Sequence, residues 1–201
     1  MVGMNKNFIS NTAIIEDSVT IGANVKIWHH THIRSNVNLG INVIIGSNVY
    51  IGVGVSIGDN SKIQNNSLIY EPAQINDGVF IGPGVIFTND HNPRAINSDK
   101  TQKSSLDWNR AGVVVGEGAS IGAGAICVGP IEIGKWVLVG AGAVVVEDVP
   151  NYALMVGVPA RQIGWVGKEG VKLIKQTSKV FTCPVSKKIY HLEGSNLIEE
   201  E

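Results

Sequence analysis

The sequence predicts an all-β chain wound as a parallel solenoid of three-sided coils, and three observations predict it. An aliphatic or aromatic residue stands at every sixth position from Ile9 through Ile15, Ile21, Ile27 and onward to Phe87, fourteen in succession in a chain that is 44% hydrophobic. The count resumes at Val115 and runs through Ile121, Cys127, Ile133, Val139 and Val145, displaced by a spacing that is not a multiple of six. The 24 glycines recur in step with these hexads, with no collagen-like period of three.

A period of six smears an apolar stripe around a 3.6-residue helix, so it excludes an amphipathic helix. It suits short strands joined by regular corners, in which positions i and i+4 of each hexad point inward. Ile21-Gly22-Ala23-Asn24-Val25-Lys26 and Ile81-Gly82-Pro83-Gly84-Val85-Ile86 display the pattern. Such repeats stack into a β-helix with one continuous core. The run to Phe87 supplies between four and five coils, and Val115 to Asp148 about two more.

Taken in order, residues up to about Asn7 are polar, and the solenoid is expected over residues 8–164. A long loop interrupts it at 88–112, beginning Thr88-Asn89-Asp90-His91-Asn92-Pro93-Arg94-Ala95. Residues 165–201 form a small appendage: a short amphipathic helix from Trp165 to Gln176, a β-hairpin over Phe181–Leu192 turning near Ser186 and Lys187, and a solvated acidic tail. The helix would cover the open end of the solenoid.

At 201 residues the chain has the size of one domain with an appendage. Its net charge of −1 gives no basic balance for nucleic acid. No apolar run is long enough to span a bilayer, and the N-terminus lacks a signal-peptide pattern, so a cytoplasmic protein is expected. Two cysteines make no disulfide framework, and Cys127, at an aliphatic repeat position, is expected in the core.

The polar interruption is the first place to look for chemistry. His91 has the only side chain there whose ordinary pKa suits a general base near neutral pH. Asp90 can orient that imidazole or turn the chain. Arg94 offers a planar fork for phosphate or a sugar carboxylate, or else a salt bridge pinning the loop. Gln64, Asn65 and Asn66 replace the small residues usual at hexad corners, and can bond a sugar or a base or form a side-chain ladder. His29, His30 and His32 raise zinc: in a strand only His30 and His32 would share a side, leaving the third ligand to His91 or another subunit.

The hexads, the single long loop and the closing Gly157-Val158-Pro159-Ala160-Arg161 resemble the left-handed β-helix acyltransferases over roughly residues 9–165. Left-handedness is implied by that resemblance alone. Trp28-His29 with His32, Lys62-Ile63-Gln64-Asn65-Asn66, Phe87-Thr88-Asn89 and Asn92-Pro93-Arg94-Ala95 look like the sugar-nucleotide N-acetyltransferases within it, above all those that acetylate the 3-amino group of UDP-2-acetamido-3-amino-2,3-dideoxyglucuronate for surface polysaccharides. Thr182-Cys183-Pro184 followed by Tyr190 adds to this, although such enzymes carry further cysteines there.

The resemblance implies acetyl-CoA as co-substrate, no metal, and a homotrimer with active sites between subunits. It implies that Asn89 positions the amine or the thioester carbonyl while the departing CoA sulfur takes the proton. It places Trp28, His29 and His32 near the nucleotide sugar, with Gln64, Asn65 and Arg94 as further binding candidates. A pantetheine arm would lie along Gly122-Ala123 and Gly140-Ala141, with Lys135 and Arg161 toward the CoA phosphates. The rivals are a dTDP-3-amino-3,6-dideoxyhexose N-acetyltransferase and, from another class, a γ-class zinc carbonic anhydrase, which uses the same fold.

Overall fold

The computed structural model describes residues 6–104, 107 and 110–200. It is an all-β parallel β-helix of the expected kind, with seven coils and the first side of an eighth. Most strands are two residues long, and each coil takes three hexads to return to the same side. Side one stacks Ile9, Ile27, Ile45, Ile63, Ile81, Ile121, Val139 and Met155 in register. Sides two and three do the same from Ile14–Ile15 and Thr20–Ile21.

The inward positions are those predicted. Ile27, Ile33, Ile45, Ile51, Ile63, Ile69 and Ile81 are wholly buried, as are Val25, Val43, Val55 and Val85 at i+4. Each such side chain contributes about 1.5–3 kcal/mol relative to an exposed one. Thr31, Ser61 and Ser67 also occupy i+4 and are buried; their hydroxyls donate to the carbonyls of Gly46, Asn76 and Gly82 at 2.6, 2.9 and 3.0 Å. Cys127 is wholly buried, and burial pushes its thiol up to about 12.

The corners explain the glycine and asparagine content. The fourth residue of a hexad adopts the left-handed conformation, which asparagine and glycine tolerate best. Asn24, Asn42, Asn48, Asn60 and Asn66 do so with φ between 56° and 62°, and Gly84, Gly124 and Gly142 with φ between 67° and 69°.

The three outer faces differ. Side three presents Thr20, Asn38, Ser56, Gln74, Val114 and Glu132. Side two presents Ile14, His32, Tyr50, Leu68, Ile86, Ile126 and Val144, and side one includes Phe8, Ile44, Phe80, Leu138 and Leu154. Side one also presents Lys26, Lys62 and Ser120, so side two is largely apolar, side one mixed and side three polar.

The loop leaves after Phe87 on side two and returns before Val113 on side three. Phe87 pairs with Cys127 and Ile75 with Val115, each 40 residues apart, so 40 − 18 = 22 residues are inserted without loss of register. Of the loop, Ser105, Leu106, Trp108 and Asn109 lie outside the described residues.

The C-terminal appendage departs from expectation. No helix forms over Trp165–Gln176. The strand Arg161–Trp165 instead folds back antiparallel on Ala153–Val156, and Ile174–Lys175 opens a four-stranded antiparallel sheet with Val180–Thr182, Ile189–Glu193 and Asn196–Glu199. The physical reason is glycine: Gly164 directly precedes the segment, Gly167 and Gly170 interrupt it, and Gly170 has φ of 72°. The hairpin over 181–192 is present. Tyr152, Leu173, Phe181, Cys183, Tyr190 and Leu197 form a second small core beneath this sheet. The acidic end is not simply solvated, because Glu199 lies in the last strand and pairs with Lys168 at 2.6 Å and with Lys188. Among the described residues no helix is long and apolar enough to cross a membrane.

Candidate functional site

Because coils repeat every three hexads, each corner forms an edge running the length of the solenoid. The edge between sides one and two stacks Trp28-His29-His30, Gly46-Ser47-Asn48, Gln64-Asn65-Asn66, Gly82-Pro83-Gly84, Gly122-Ala123-Gly124 and Gly140-Ala141-Gly142. Most residues singled out as substrate- or cofactor-binding thus share one line. It passes from aromatic and imidazole groups through amides to bare glycine.

At its lower end Trp28 is 40% exposed and stacks on Phe8 with ring centroids 5.1 Å apart. His29 Nδ1 lies 2.7 Å from Ser10 Oγ, which fixes the ring with its other nitrogen outward. His29 and His30 belong to a corner, not a strand, so the alternation expected for three histidines does not apply; His30 holds φ of 58°. His32 lies on the outer face of side two, its Nε2 2.9 Å from Glu16 Oε1. Among the described residues, no group of three or more His, Cys, Asp or Glu side chains is placed to hold a metal ion.

In the middle of the edge, Asn65 serves the scaffold. Its Oδ1 accepts from the Ser47 amide at 2.8 Å, just as Asp59, Asp77 and Asn151 on another edge accept from Ile41, Asp59 and Lys135. Gln64 is half-buried beside it. Among the described residues this cap occurs once on the edge, and the His29 and Asn65 amides donate to no group. Alanine follows at 123 and 141, and among the described residues neither amide donates to any group. A Cβ on Gly122 or Gly140 would meet the next coil at 2.5 or 2.9 Å, so stacking demands glycine there, whereas Gly124 and Gly142 face open space.

The segment after the last coil closes this edge. Val144 N donates to Gly157 O at 3.0 Å and Ala160 N to Val144 O at 2.7 Å, seating Gly157-Val158-Pro159-Ala160 on the last glycine corner. Arg161 follows, exposed, with Nη1 3.1 Å from Glu147 Oε1. Lys135 is not there. It stands on the edge between sides three and one, with Nζ 3.5 Å from Glu117, because 135 is not separated from 122 or 140 by a whole coil.

The loop leaves from the edge between sides two and three. Thr88 is still in register, its amide donating to Cys127 O at 2.9 Å and its Oγ1 accepting from Gly129 N at 3.2 Å. Asn89 is half-buried and its carbonyl accepts from Ala111 N at 2.9 Å. Asp90 bridges to Arg110 across the neck, and its Oδ1 accepts from Asn92 N at 2.9 Å, so Asp90 turns the chain. His91 and Arg94 are exposed, with Arg94 Nη1 donating to Pro93 O at 2.9 Å. Within one chain, side two separates Asn89 and His91 from the bare glycine edge.

Sequence reasoning missed one cluster, at the base of the same edge as the loop. Glu16 accepts from the Ser35 hydroxyl and amide at 3.0 Å each, contacts His32 at 2.9 Å and forms an ion pair with Arg34 Nε at 2.5 Å. Partial burial works against its ionisation, but these hydrogen bonds and the Arg34 charge hold the carboxyl down to about 2. Arg34 Nη1 donates to Tyr50 OH at 2.9 Å. Spacing by one whole coil, or by slightly less than one, was the signal that would have joined these positions.

Comparison with known families agrees with the fold. The profile described as "Bacterial transferase hexapeptide (six repeats)" matches residues 54–89. That described as "Hexapeptide repeat of succinyl-transferase" matches 12–51, 36–71 and 112–147, so the two together span more than half of the chain. The chain belongs to the hexapeptide-repeat transferase family.

One relative in this family is the dTDP-3-amino-3,6-dideoxy-alpha-D-galactopyranose 3-N-acetyltransferase of Aneurinibacillus thermoaerophilus, 41% identical over 81 residues, or 40% of this chain and 42% of that one. Another is a serine acetyltransferase of Buchnera aphidicola, 34% identical over 102 residues, or 51% of this chain and 39% of that one. The chain thus spans about two fifths of the length of these relatives. A hexapeptide-repeat acetyltransferase from Vibrio cholerae shares the fold with a TM-score of 0.54 at 21% identity, covering 74% of each chain.

Proposed function

We propose that this transferase moves an acetyl group from acetyl-CoA to the 3-amino group of a nucleotide-linked amino sugar, with UDP-2-acetamido-3-amino-2,3-dideoxyglucuronate as the leading acceptor. The observation that carries the donor half is the upper edge between sides one and two. There the scaffold leaves the Ala123 and Ala141 amides uncapped and Gly124 and Gly142 without side chains. Asparagine holds the same left-handed corner at 48 and 66, so coil geometry does not force this bareness. A pantetheine arm is a flat chain of amides that suits such a wall, and Arg161 at its end suits a phosphate.

In the reaction the amine nitrogen attacks the thioester carbon, the carbonyl oxygen takes up negative charge, and collapse expels the CoA sulfur, which accepts the ammonium proton. Asn89, held at the loop neck, positions the amine or the oxyanion. No side-chain base is required, and His91 is the second candidate.

Asn89 and the glycine edge lie at opposite margins of side two, so a neighbouring copy joins them. The apolar outer face of side two, with the apolar positions of the mixed side one, supplies surface for cyclic contact between three copies. Light scattering is expected to give three times the 21.4 kDa of one chain; a monomeric mass at micromolar concentration contradicts this.

The dTDP-sugar relative favours a second reading, acetylation of a dTDP-linked 3-amino-3,6-dideoxyhexose. A thiol-release assay with acetyl-CoA decides between them. UDP- and dTDP-linked 3-amino sugars and L-serine would be offered in parallel, and release is expected with the UDP-linked 3-amino uronate. Release with only the dTDP sugar moves the assignment to the second reading, and release with only L-serine overturns both.

A further inference from the structure

The outer face of side two is aliphatic at Ile14, Leu68, Ile86, Ile126 and Val144, and breaks this pattern at His32 and Tyr50. Those two stack in register, with ring centroids 5.8 Å apart and an interplanar angle of 84°. Tyr50 in turn packs on Tyr70 at 5.2 Å. Beside this aromatic row lies Arg34, clamped by Glu16 at Nε and by the Tyr50 hydroxyl at Nη1.

The cluster holds Glu16 ionised, but this does not require an arginine in this place. Arg34 keeps 36% of its side chain exposed, and so open an ion pair adds little to folding. The contacts at Nε and Nη1 immobilise the guanidinium and leave its other donors free for a ligand. Nε is buried against Glu16 as an ion pair without hydrogen-bond geometry, and among the described residues Nη2 makes no hydrogen bond, so donors of a held guanidinium stay available.

The surroundings define what fits the fork. At the same position in successive coils above Arg34 stand Gly52, Tyr70 and Thr88, each one coil further on. Gly52, whose Cβ position is taken by Glu71, adds no side chain. Coils rise by about 4.8 Å, so Arg34 to Thr88 spans roughly 14 Å, comparable to a diphosphate with its sugar ring. Asn89 follows Thr88 at the top of this track. A ligand laid along it would meet the arginine fork at one end, tyrosine rings along its flank and the proposed reacting centre at the other end.

We propose that Arg34, presented by Glu16 and Tyr50, binds the diphosphate of the nucleotide sugar, with Tyr50 and Tyr70 flanking it. Arginine binds phosphate oxygens in pairs, which lysine cannot reproduce. The inference rests on the sugar-nucleotide reading above and assigns the residue that recognises that substrate.

Calorimetric titration with UDP and with dTDP tests it on the wild-type protein, Arg34→Gln and Arg34→Lys. Acetyl-CoA titration and light-scattering mass are measured for each. Arg34→Gln is expected to weaken the bound nucleoside diphosphate at least tenfold, and Arg34→Lys to weaken it by less, with acetyl-CoA affinity and mass unchanged. Nucleotide affinity within twofold of wild type in Arg34→Gln overturns the assignment. So does a loss of affinity that accompanies a loss of mass, which would make Arg34 an interface residue. Should Arg34→Gln not fold, wild-type nucleotide affinity in Arg34→Lys overturns it instead. If the wild-type protein binds acetyl-CoA but neither nucleotide, the sugar-nucleotide reading itself fails.

Discussion

Replacing Asn89 by alanine is expected to lower kcat by about 10²- to 10³-fold, the usual cost of removing one positioned transition-state donor. Affinity for acetyl-CoA should stay near its wild-type value. His91→Ala is expected to cost far less. The two residues differ in how they are held. Asn89 directly follows Thr88, whose amide is still bonded to Cys127, and its own carbonyl is fixed by Ala111. His91 lies two residues further out, exposed beyond the Asp90 turn. Positional precision governs such donors, and the neck fixes the Asn89 backbone. Steady-state kinetics of the two variants separate the roles. A wild-type rate in Asn89→Ala with an inactive His91→Ala would return the chemistry to a histidine base.

Placing asparagine at both Gly124 and Gly142 is expected to raise the KM for acetyl-CoA at least tenfold without unfolding the protein. The backbone at these corners has φ of 67° and 68°, close to the 56° and 62° that Asn48 and Asn66 adopt in coils below. The substituted Cβ atoms would meet no neighbour within 4 Å. The new side chains would stand where the pantetheine is proposed to lie, and their oxygens would compete for the nearby amides. A thermal melt within a few degrees of wild type, together with unchanged kinetics in acetyl-CoA, would move the donor site to another edge.

The repeat made the solenoid legible because one inward position in every hexad constrains strand, corner and core together. Ile27 to Phe87 could be placed inside from the sequence alone. The edges were equally present in the numbering and went unread: positions 28, 46 and 64 are separated by whole coils, and so are 82 and 122 once the loop is discounted. By the same arithmetic Lys135, a cofactor candidate by its charge, falls on the edge between sides three and one. The Arg34 cluster escaped for a related reason, since Glu16, Arg34 and Tyr50 meet only after the coil closes.

Elsewhere tertiary context overrode local pattern. Val171, Leu173 and Ile174 are the apolar residues of the helix expected over Trp165–Gln176. Leu173 does enter a core, but Ile174 is 52% exposed, and three glycines spaced by three favour extended chain. The terminal glutamates suggested a free tail until Lys168 and Lys188, both distant in sequence, gave Glu199 its partners.

The loop that interrupts the repeat does so without disturbing registration, and this separates two properties that are coupled in most enzymes. The strands on either side pair as though the insertion were absent. Closure entropy grows only with the logarithm of length, so doubling the insertion would cost roughly 0.6 kcal/mol. The segment between Phe87 and Val113 can therefore be exchanged as a unit while the coils, with Arg34 below it and the glycine edge beside it, keep their shape. The chain is in this sense a fixed frame with one replaceable segment.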